Sequence, residues 1–177
     1  MNHLTRADYQ DMPWANGRGQ TIQMLRRDGP DGLLVRLSMA TVAEDGAFSI
    51  FPGIDRNLTV IDGPGFDLVG DVALRADPLR PVAFAGDATV AASGVTGVSI
   101  DFNVMTARSL PPPEVKVLMP GAARAVRGKT GGMLCLFALE PATVQGVAMA
   151  RHDLLVNAPA PDGCTGRLLA IRLFGLT

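Results

Sequence analysis

The sequence predicts an all-β protein, and three observations lead to that fold class. Between residues 33 and 173, apolar residues recur mostly at every second position, in short runs interrupted by glycine, proline or aspartate. This is the pattern of half-buried strands. The 20 glycines and 13 prolines are dispersed between these runs, which indicates many turns. No strand pattern alternates with a long helical pattern, so a sandwich, a closed barrel or a jelly roll remains as the architecture.

The first predicted element is a short helical turn near the start of the chain. Thr5 can cap a turn over residues 6–10, and Pro13 ends it. A run of this length is stable only when it packs against the rest of a protein.

Strands follow through the first part of the chain, each bounded by residues that favour turns. Residues 28–32, 62–65 and 70–71 combine glycine with aspartate and tolerate positive φ, so neighbouring strands are expected to pair antiparallel. The predicted strands span residues 22–26, 33–40, 47–50, 56–61, 66–69, 72–75, 82–84, 89–92 and 98–107.

A proline run, residues 110–113, separates these strands from a second group. The strands of that group are predicted at residues 115–119, 125–126, 133–139, 143–147, 154–158 and 167–174. We expect one compact unit over residues 1–177, with an internal seam near residues 109–114 between an N-terminal and a C-terminal β-barrel.

Composition excludes several classes of partner. The 177 residues carry a formal net charge of −1, so nothing draws the chain to nucleic acid or to an anionic membrane. No apolar run approaches the ~20 residues of a membrane span and no apolar leader opens the sequence, so the cytoplasm is the expected location. Cys135 lies in an apolar run and Cys164 in a predicted loop, which does not indicate a disulfide.

Three segments combine polar side chains with tight backbone signals. In the first, residues 12–21, Trp14 offers a stacking face, Asn16 a tight turn with Gly17, and Arg18 a five-donor cation. The alternative is a structural turn that places the tryptophan in the core.

The second segment runs from residue 36 to residue 56. Strand alternation places Arg36 and Ser38 on one face. They either face water or line a barrel interior, where their donors need a ligand, water or a carboxylate. Phe48, Ser49 and Arg56 follow in the same segment and are candidates for the same site.

The third segment covers residues 98–108. Asp101 and Asn103 share one strand face, opposite Phe102. An internal ion pair of Asp101 with Arg36 or Arg56 is the alternative to a binding site.

These three segments, in this order, resemble the HutD/Ves family of small bacterial cupins. Members of that family resemble MPW-x-NG-x-G near the start, then R-x-S-x-A and G-x-FS-x-FPG-x-DR-x-L, then DFN-x-M. The matching positions are Met12-Pro13-Trp14, Asn16-Gly17, Gly19, Arg36, Ser38, Ala40, Gly46, Phe48-Ser49, Phe51-Pro52-Gly53, Asp55-Arg56, Leu58, Asp101-Phe102-Asn103 and Met105. The resemblance covers residues 4–108, and the remainder agrees in length and strand content.

The resemblance implies an RmlC-like cupin jelly roll, or two fused cupin-like barrels in one chain. It also implies a link to histidine utilisation, through binding of an intermediate such as formylglutamate, whereas Ves-type relatives are associated with stress responses. Two positions depart from the pattern, because Ala15 replaces a frequent lysine and Arg18 a frequent glycine. An anion contact made by that lysine would fall to Arg18 here.

The residue types favour a binding protein without a metal or other cofactor. The two histidines, His3 and His152, lie far apart and lack an H-x-H spacing, whereas cupin metal sites use histidines and a glutamate. One alternative is an isomerase-like enzyme, which would depend on Asp101 as its base. The other is a stress-related protein-interaction module.

As a binder, the chain offers arginines for a carboxylate, serines and asparagines for further hydrogen bonds, and aromatic walls. The predicted ligand is a small polar or carboxylated metabolite. A homodimer formed through sheet edges is compatible with this fold. The predicted site residues are Trp14, Asn16, Arg18, Arg36, Ser38, Phe48, Ser49, Arg56, Asp101, Phe102 and Asn103.

Overall fold

The structure, a computed structural model, describes residues 1–13, 20–121 and 132–176. Within these ranges the chain forms β-strands and one 3-10 turn, Arg6–Asp8, and no α-helix, which confirms the all-β prediction. The turn confirms the short N-terminal helical element. Thr5 precedes it and donates from its backbone N–H (2.8 Å) and its hydroxyl (3.0 Å) to the Asp8 carboxylate.

The chain divides into two compact units. The terminal unit consists of Met1–Tyr9 and Pro111–Thr177, and the middle unit consists of Gln10–Leu110. The strands of the terminal unit are β1 Asn2–Leu4, β12 Glu114–Leu118, β13 Met133–Ala138, β14 Ala142–Val144, β15 Val147–Met149, β16 Leu154–Val156 and β17 Leu168–Leu173. Those of the middle unit are β2 Gln10–Pro13, β3 Gln20–Gly29, β4 Gly32–Val42, β5 Gly46–Ala47, β6 Ile54–Asp62, β7 Phe66–Gly70, β8 Leu74–Ala76, β9 Val82–Ala85, β10 Val90–Ser93 and β11 Ser99–Ala107.

The middle unit is built from two antiparallel sheets. One has six strands in the order β2-β3-β4-β11-β6-β9, and the other has four in the order β5-β10-β7-β8. Apolar side chains from both sheets form one core, to which β6 contributes Leu58 and Val60, β7 contributes Phe66 and Leu68, and β10 contributes Val90. The six-stranded sheet thus turns one face toward the four-stranded sheet.

The terminal unit has a five-stranded antiparallel sheet in the order β1-β16-β13-β17-β12 and a two-stranded sheet of β14 and β15. Its core takes Leu134 and Leu136 from β13, Leu168 from β17 and Val144 from β14. Cys164 lies between β16 and β17 as a free thiol, and although it is in a loop its side chain is buried in this core.

Several predicted strands differ from the strands in the structure. A single strand over residues 143–147 is wrong, because Gln145 and Gly146 both have positive φ and form the turn between β14 and β15. Of residues 47–50 only Ala47 is in a strand, and β1 and β2 were not predicted. The strand predicted at residues 125–126 lies outside the described residues.

No helix in the described ranges has the length and apolar character needed to cross a membrane.

Candidate functional site

The candidate site lies where β4, β11 and β6 run side by side in the middle unit. Antiparallel register aligns Arg36 on β4 with Met105 on β11 and Arg56 on β6. The next row on the same face aligns Ser38 with Asn103. Because alternate residues of a strand share a face, the predicted polar residues of two distant segments meet on the side of the sheet that faces the core.

A loop after β5 closes over this face. Phe48 donates its backbone N–H to the Val90 carbonyl (2.9 Å), and Phe51 donates to the Gly86 carbonyl (2.7 Å). A Cβ at Gly86 would lie 2.6 Å from the Ile54 carbonyl oxygen, so only glycine permits this close backbone approach. The loop is therefore fixed by main-chain contacts that do not depend on its side chains.

Strands and loop together enclose a pocket of about 400 Å³. This volume lies within the range of small-molecule sites. Its polar lining consists of Thr21, Arg36, Ser38, Ser49, Arg56 and Asn103, and its apolar lining consists of Ala40, Ala47, Phe48, Phe51 and Met105. Among the described residues, the lining includes two cations and no carboxylate.

Arg56 is buried inside this wall. Its guanidinium lies 4.9, 5.1 and 5.9 Å from the ring centroids of Phe48, Phe84 and Phe51, a cage that favours a cation. Its Nη2 donates to Asn103 Oδ1 at 2.8 Å, while its buried Nε has no partner among the described residues. Burial lowers the pKa of Arg56, although the group remains charged at neutral pH.

Arg36 is half-buried beside it. Its Nη2 approaches the Met12 sulfur at 3.7 Å, a weak acceptor, and its buried Nε finds no partner in the described part of the chain. Burial and the charge of Arg26 both lower its pKa. Neither Arg36 nor Arg56 forms an ion pair within the described residues, so two desolvated guanidiniums face one cavity.

Asp101 lies on the same face of β11 as Asn103, beside the pocket. It is fully buried, and its Oδ1 accepts a hydrogen bond from Asn103 Nδ2, while Oδ2 has no described partner. Burial raises the pKa of Asp101 to about 7, against the opposing effects of the Arg56 charge and the bond from Asn103. Arg56, Asn103 and Asp101 thus form a chain of hydrogen bonds that leads from the pocket into the sheet.

A second cavity, of about 520 Å³, is lined by residues of the β3–β4 turn, the segment before β6 and the end of β11. Its cation is Arg108. That guanidinium is already paired with Asp55 (3.0 Å) and Asp87 (2.8 Å), so this cavity offers no unpaired charge from that side chain.

Both histidines belong to the terminal unit. His3 Nε2 lies 2.8 Å from Asp153 Oδ2, and His152 stacks on Phe137 at 5.5 Å. Sequence reasoning missed the first pair, because 150 positions separate its members. Asp153 also accepts the backbone N–H of Ala150, which indicates that the pair fixes β1 against β16. No group of three potential metal ligands among His, Cys, Asp and Glu occurs in the described residues.

The structure brings six of the eleven predicted site residues to the pocket: Arg36, Ser38, Phe48, Ser49, Arg56 and Asn103. Asp101 is one hydrogen bond away from the pocket, and Phe102 is buried on the opposite face of β11, since consecutive strand residues point to opposite sides. Trp14, Asn16 and Arg18 lie outside the described residues.

Five lining residues were not predicted, and two of them left a signal in the sequence. Ala40 and Met105 follow Ser38 and Asn103 at a spacing of two, so they share their strand face. Thr21 is placed by the register of β3 with β4, which a single sequence does not reveal.

The sequence of this chain is similar to those of known proteins. A sequence model of the HutD family matches residues 6–167. A protein of Pseudomonas putida, described as an uncharacterized 21.2 kDa protein in the hutC 3' region, is 38% identical over 59% of this chain and 57% of its own length. Protein Ves of Cronobacter sakazakii is 35% identical over 62% of this chain and 64% of its own length. The matches therefore span less than two thirds of these relatives.

Solved structures cover almost the whole chain. HutD from Pseudomonas fluorescens SBW25 is 30% identical, covers 98% of this chain and 97% of that chain, and has a TM-score of 0.82. A cupin 2 conserved barrel domain protein from Leptotrichia buccalis, 10% identical with a TM-score of 0.51, covers 86% of this chain and 88% of its own and shares the fold alone. The predicted cupin fold is thereby confirmed.

Proposed function

The chain belongs to the HutD family, and from that premise we propose that it is a sensor or regulator whose middle unit binds a small carboxylated metabolite without a metal. The single observation that carries this proposal is the pair of guanidiniums, Arg36 and Arg56, on one cavity whose described lining contains no carboxylate. A buried guanidinium that no carboxylate contacts directly is costly, and a ligand carboxylate would offset that cost.

The remaining lining fits a ligand with a second polar group. Ser38, Ser49 and Thr21 supply hydroxyls, and Phe48 and Met105 supply an apolar wall. A guanidinium binds a carboxylate through two parallel hydrogen bonds, and both arginines have an Nε without a described partner. Formylglutamate, with two carboxylates and a formamide, has the groups that such a lining can bind.

The family context supports a role in histidine utilisation. The relative in Pseudomonas putida is described by its position next to hutC, and the solved relative from Pseudomonas fluorescens is itself a HutD. We propose that this chain reports the level of an intermediate of that pathway.

A thermal-shift assay tests the binding role. Formylglutamate and glutarate are compared with glutaramide, which keeps the carbon chain of glutarate but has no charge. A ligand present at 100 times its Kd stabilises the native state by about 2.7 kcal/mol, or about 5 to 10 °C for a chain of this size. Equal transitions with both carboxylates and with glutaramide would contradict the proposal, and stoichiometric transition metal in the purified protein would contradict its metal-free form.

Arg36→Gln is the variant that tests the site. It removes the charge but keeps a polar side chain, and we expect the affinity for the carboxylate to fall about 10- to 100-fold. The matched control is Arg75→Gln, because Arg75 is an exposed arginine of the same unit that is paired with Asp67 and Asp77. Isothermal titration calorimetry measures both, and an equal affinity in the two variants would remove Arg36 from the site.

A metal-independent isomerase is the second candidate, favoured by the raised pKa of Asp101, which suits a general base near neutral pH. Asn103 stands between that carboxylate and the pocket. Proton NMR of formylglutamate incubated with the protein in D₂O distinguishes the two roles, because an isomerase would exchange a carbon-bound proton and a binding protein would not.

A further inference from the structure

A buried acid, Asp101, lies one hydrogen bond beyond the lining of the pocket. Asp101 does not line the pocket, and its only described hydrogen bond comes from Asn103. Asn103 in turn accepts the bond from Arg56, which does line the pocket. A change of charge at Arg56 is therefore transmitted to Asp101 over one side-chain amide.

We infer that binding of a carboxylate in this pocket is accompanied by uptake of a proton at Asp101, which acts through Asn103 as a positioning residue. The inference rests on the proposed function, since it concerns the same pocket. Beyond that function, the pocket binds its anion together with a proton taken from solvent.

The neighbours of Asp101 determine the charge balance around its carboxylate. Its described cross-strand neighbours are the apolar Ala40 on β4 and Val60 on β6. Arg36 and Arg56 lie on the same face of those strands, and the buried side chains of the facing four-stranded sheet are apolar. Of these two cations, Arg56 is the one whose charge acts on the ionisation of Asp101.

Arg26 on β3 is the remaining described cation of the row, because it is aligned with Arg36. Its guanidinium is paired with Asp28 at 2.8 Å at the exposed edge, so its charge is already balanced there. It does not compensate Asp101.

Binding of an anion changes the charge that acts on Asp101. In the free protein the charge of Arg56 favours the ionised form of Asp101 and opposes the effect of burial. A ligand carboxylate on Arg56 and Arg36 neutralises that favourable charge and adds a negative charge of its own. Both effects raise the pKa of Asp101, which burial has already brought to about 7, so the bound state holds the proton at neutral pH.

The two carboxylate oxygens of Asp101 have different surroundings. Asp101 Oδ1 is occupied by the bond from Asn103 Nδ2, whereas Oδ2 has no described partner. A proton can therefore be added to Oδ2 while Oδ1 continues to accept. The amide of Asn103 keeps its orientation, with Oδ1 toward Arg56 and Nδ2 toward Asp101, so the pocket retains its shape when the charge changes.

Calorimetry with formylglutamate as the probe tests the inference. The titration is carried out at pH 7.5 in Tris and in triethanolamine, two buffers of different ionisation enthalpy that carry no anionic group. The heat should differ between them by the equivalent of about half a proton to one proton taken up per ligand, and the affinity should fall by up to about tenfold per pH unit above pH 8. Equal heats with measurable binding would overturn the inference and leave the proposed function intact.

Asp101→Asn assigns the proton to its site. The variant should still bind formylglutamate, but with equal heats in the two buffers, while Arg75→Gln should retain the difference. Uptake that persists in Asp101→Asn would overturn the assignment. If that variant does not fold, the infrared difference spectrum of the unmodified protein decides, because ligand binding should create the C=O stretch of a protonated acid and its absence would refute the inference. Failure of both formylglutamate and glutarate to bind would instead refute the proposed function, and the inference with it.

Discussion

The two units differ in the side chains that their sheets bury. The core of the terminal unit is formed by apolar side chains, among them Leu136, Leu155 and Leu168, all fully buried. The middle unit has a comparable apolar core around Leu58 and Phe66, but the same sheet face continues into a wall of arginine, serine and asparagine. Antiparallel sheets thus form a stabilising core in both units, and in the middle unit they also carry a candidate site.

The difference shows how a site is distinguished from a core in a small β-protein. Buried hydrocarbon contributes to stability in proportion to the area removed from water, whereas a buried guanidinium without a counter-ion reduces stability unless a partner binds. Arg56 and its free Nε are therefore informative, since folding alone does not favour them. In the terminal unit, His3 and Asp153 satisfy each other.

The largest expected effect on stability is in the terminal unit. Leu136→Ala removes a fully buried side chain from its core and should lower the free energy of unfolding by about 2 to 5 kcal/mol, because the cavity cannot close completely. Urea denaturation measures the change. A loss below about 1 kcal/mol would show that this core is loosely packed and would weaken the contrast between the units.

A smaller effect is expected from Asp101→Asn, and it depends on pH. The pKa of Asp101 is raised in the folded protein, so its protonated form favours folding at low pH and this contribution is lost as the pH rises toward 7 and above. The asparagine variant has no such loss. Relative to the unmodified protein it should therefore gain roughly 2 kcal/mol in free energy of unfolding between pH 5 and pH 8.

Urea denaturation of both proteins at the two pH values measures this gain. Parallel pH profiles would show that Asp101 is ionised throughout. That result would remove the acid from the candidate site.

The smallest effect on stability should accompany a large effect on binding. Arg56→Met replaces a buried guanidinium with an apolar side chain of similar length inside the cage of Phe48, Phe51 and Phe84. At pH 6, where Asp101 is largely protonated, the free energy of unfolding should change by less than about 1 kcal/mol. Affinity for formylglutamate should fall at least about 100-fold.

Thermal denaturation and calorimetry measure the two quantities. A stability loss of several kcal/mol would mean that Arg56 holds the fold together, as Leu136 does. The two units would then differ less than their side chains indicate.

Much of the middle unit could be predicted from sequence, because its signals are local. Alternation identified the strands that became β4, β6 and β11 and placed Arg36 with Ser38, and Asp101 with Asn103. The turn at Gln145 and Gly146 was missed, since no local pattern distinguished a short hairpin from one strand. Phe102 was grouped with the site by its neighbours in the motif, although the strand period places it on the other face.

The sequence by itself determined the fold class, the pairing of polar residues along each strand and the resemblance that identified the family. These follow from periodicity and spacing, which are properties of neighbouring residues. Only the tertiary structure decided that Arg36, Arg56 and Asn103 share one cavity, that Asp101 lies beside it and that neither arginine forms an ion pair within the described residues. Those facts depend on the register of β4 and β6 against β11, strands that are far apart in the chain, and register is fixed by packing across the whole sheet.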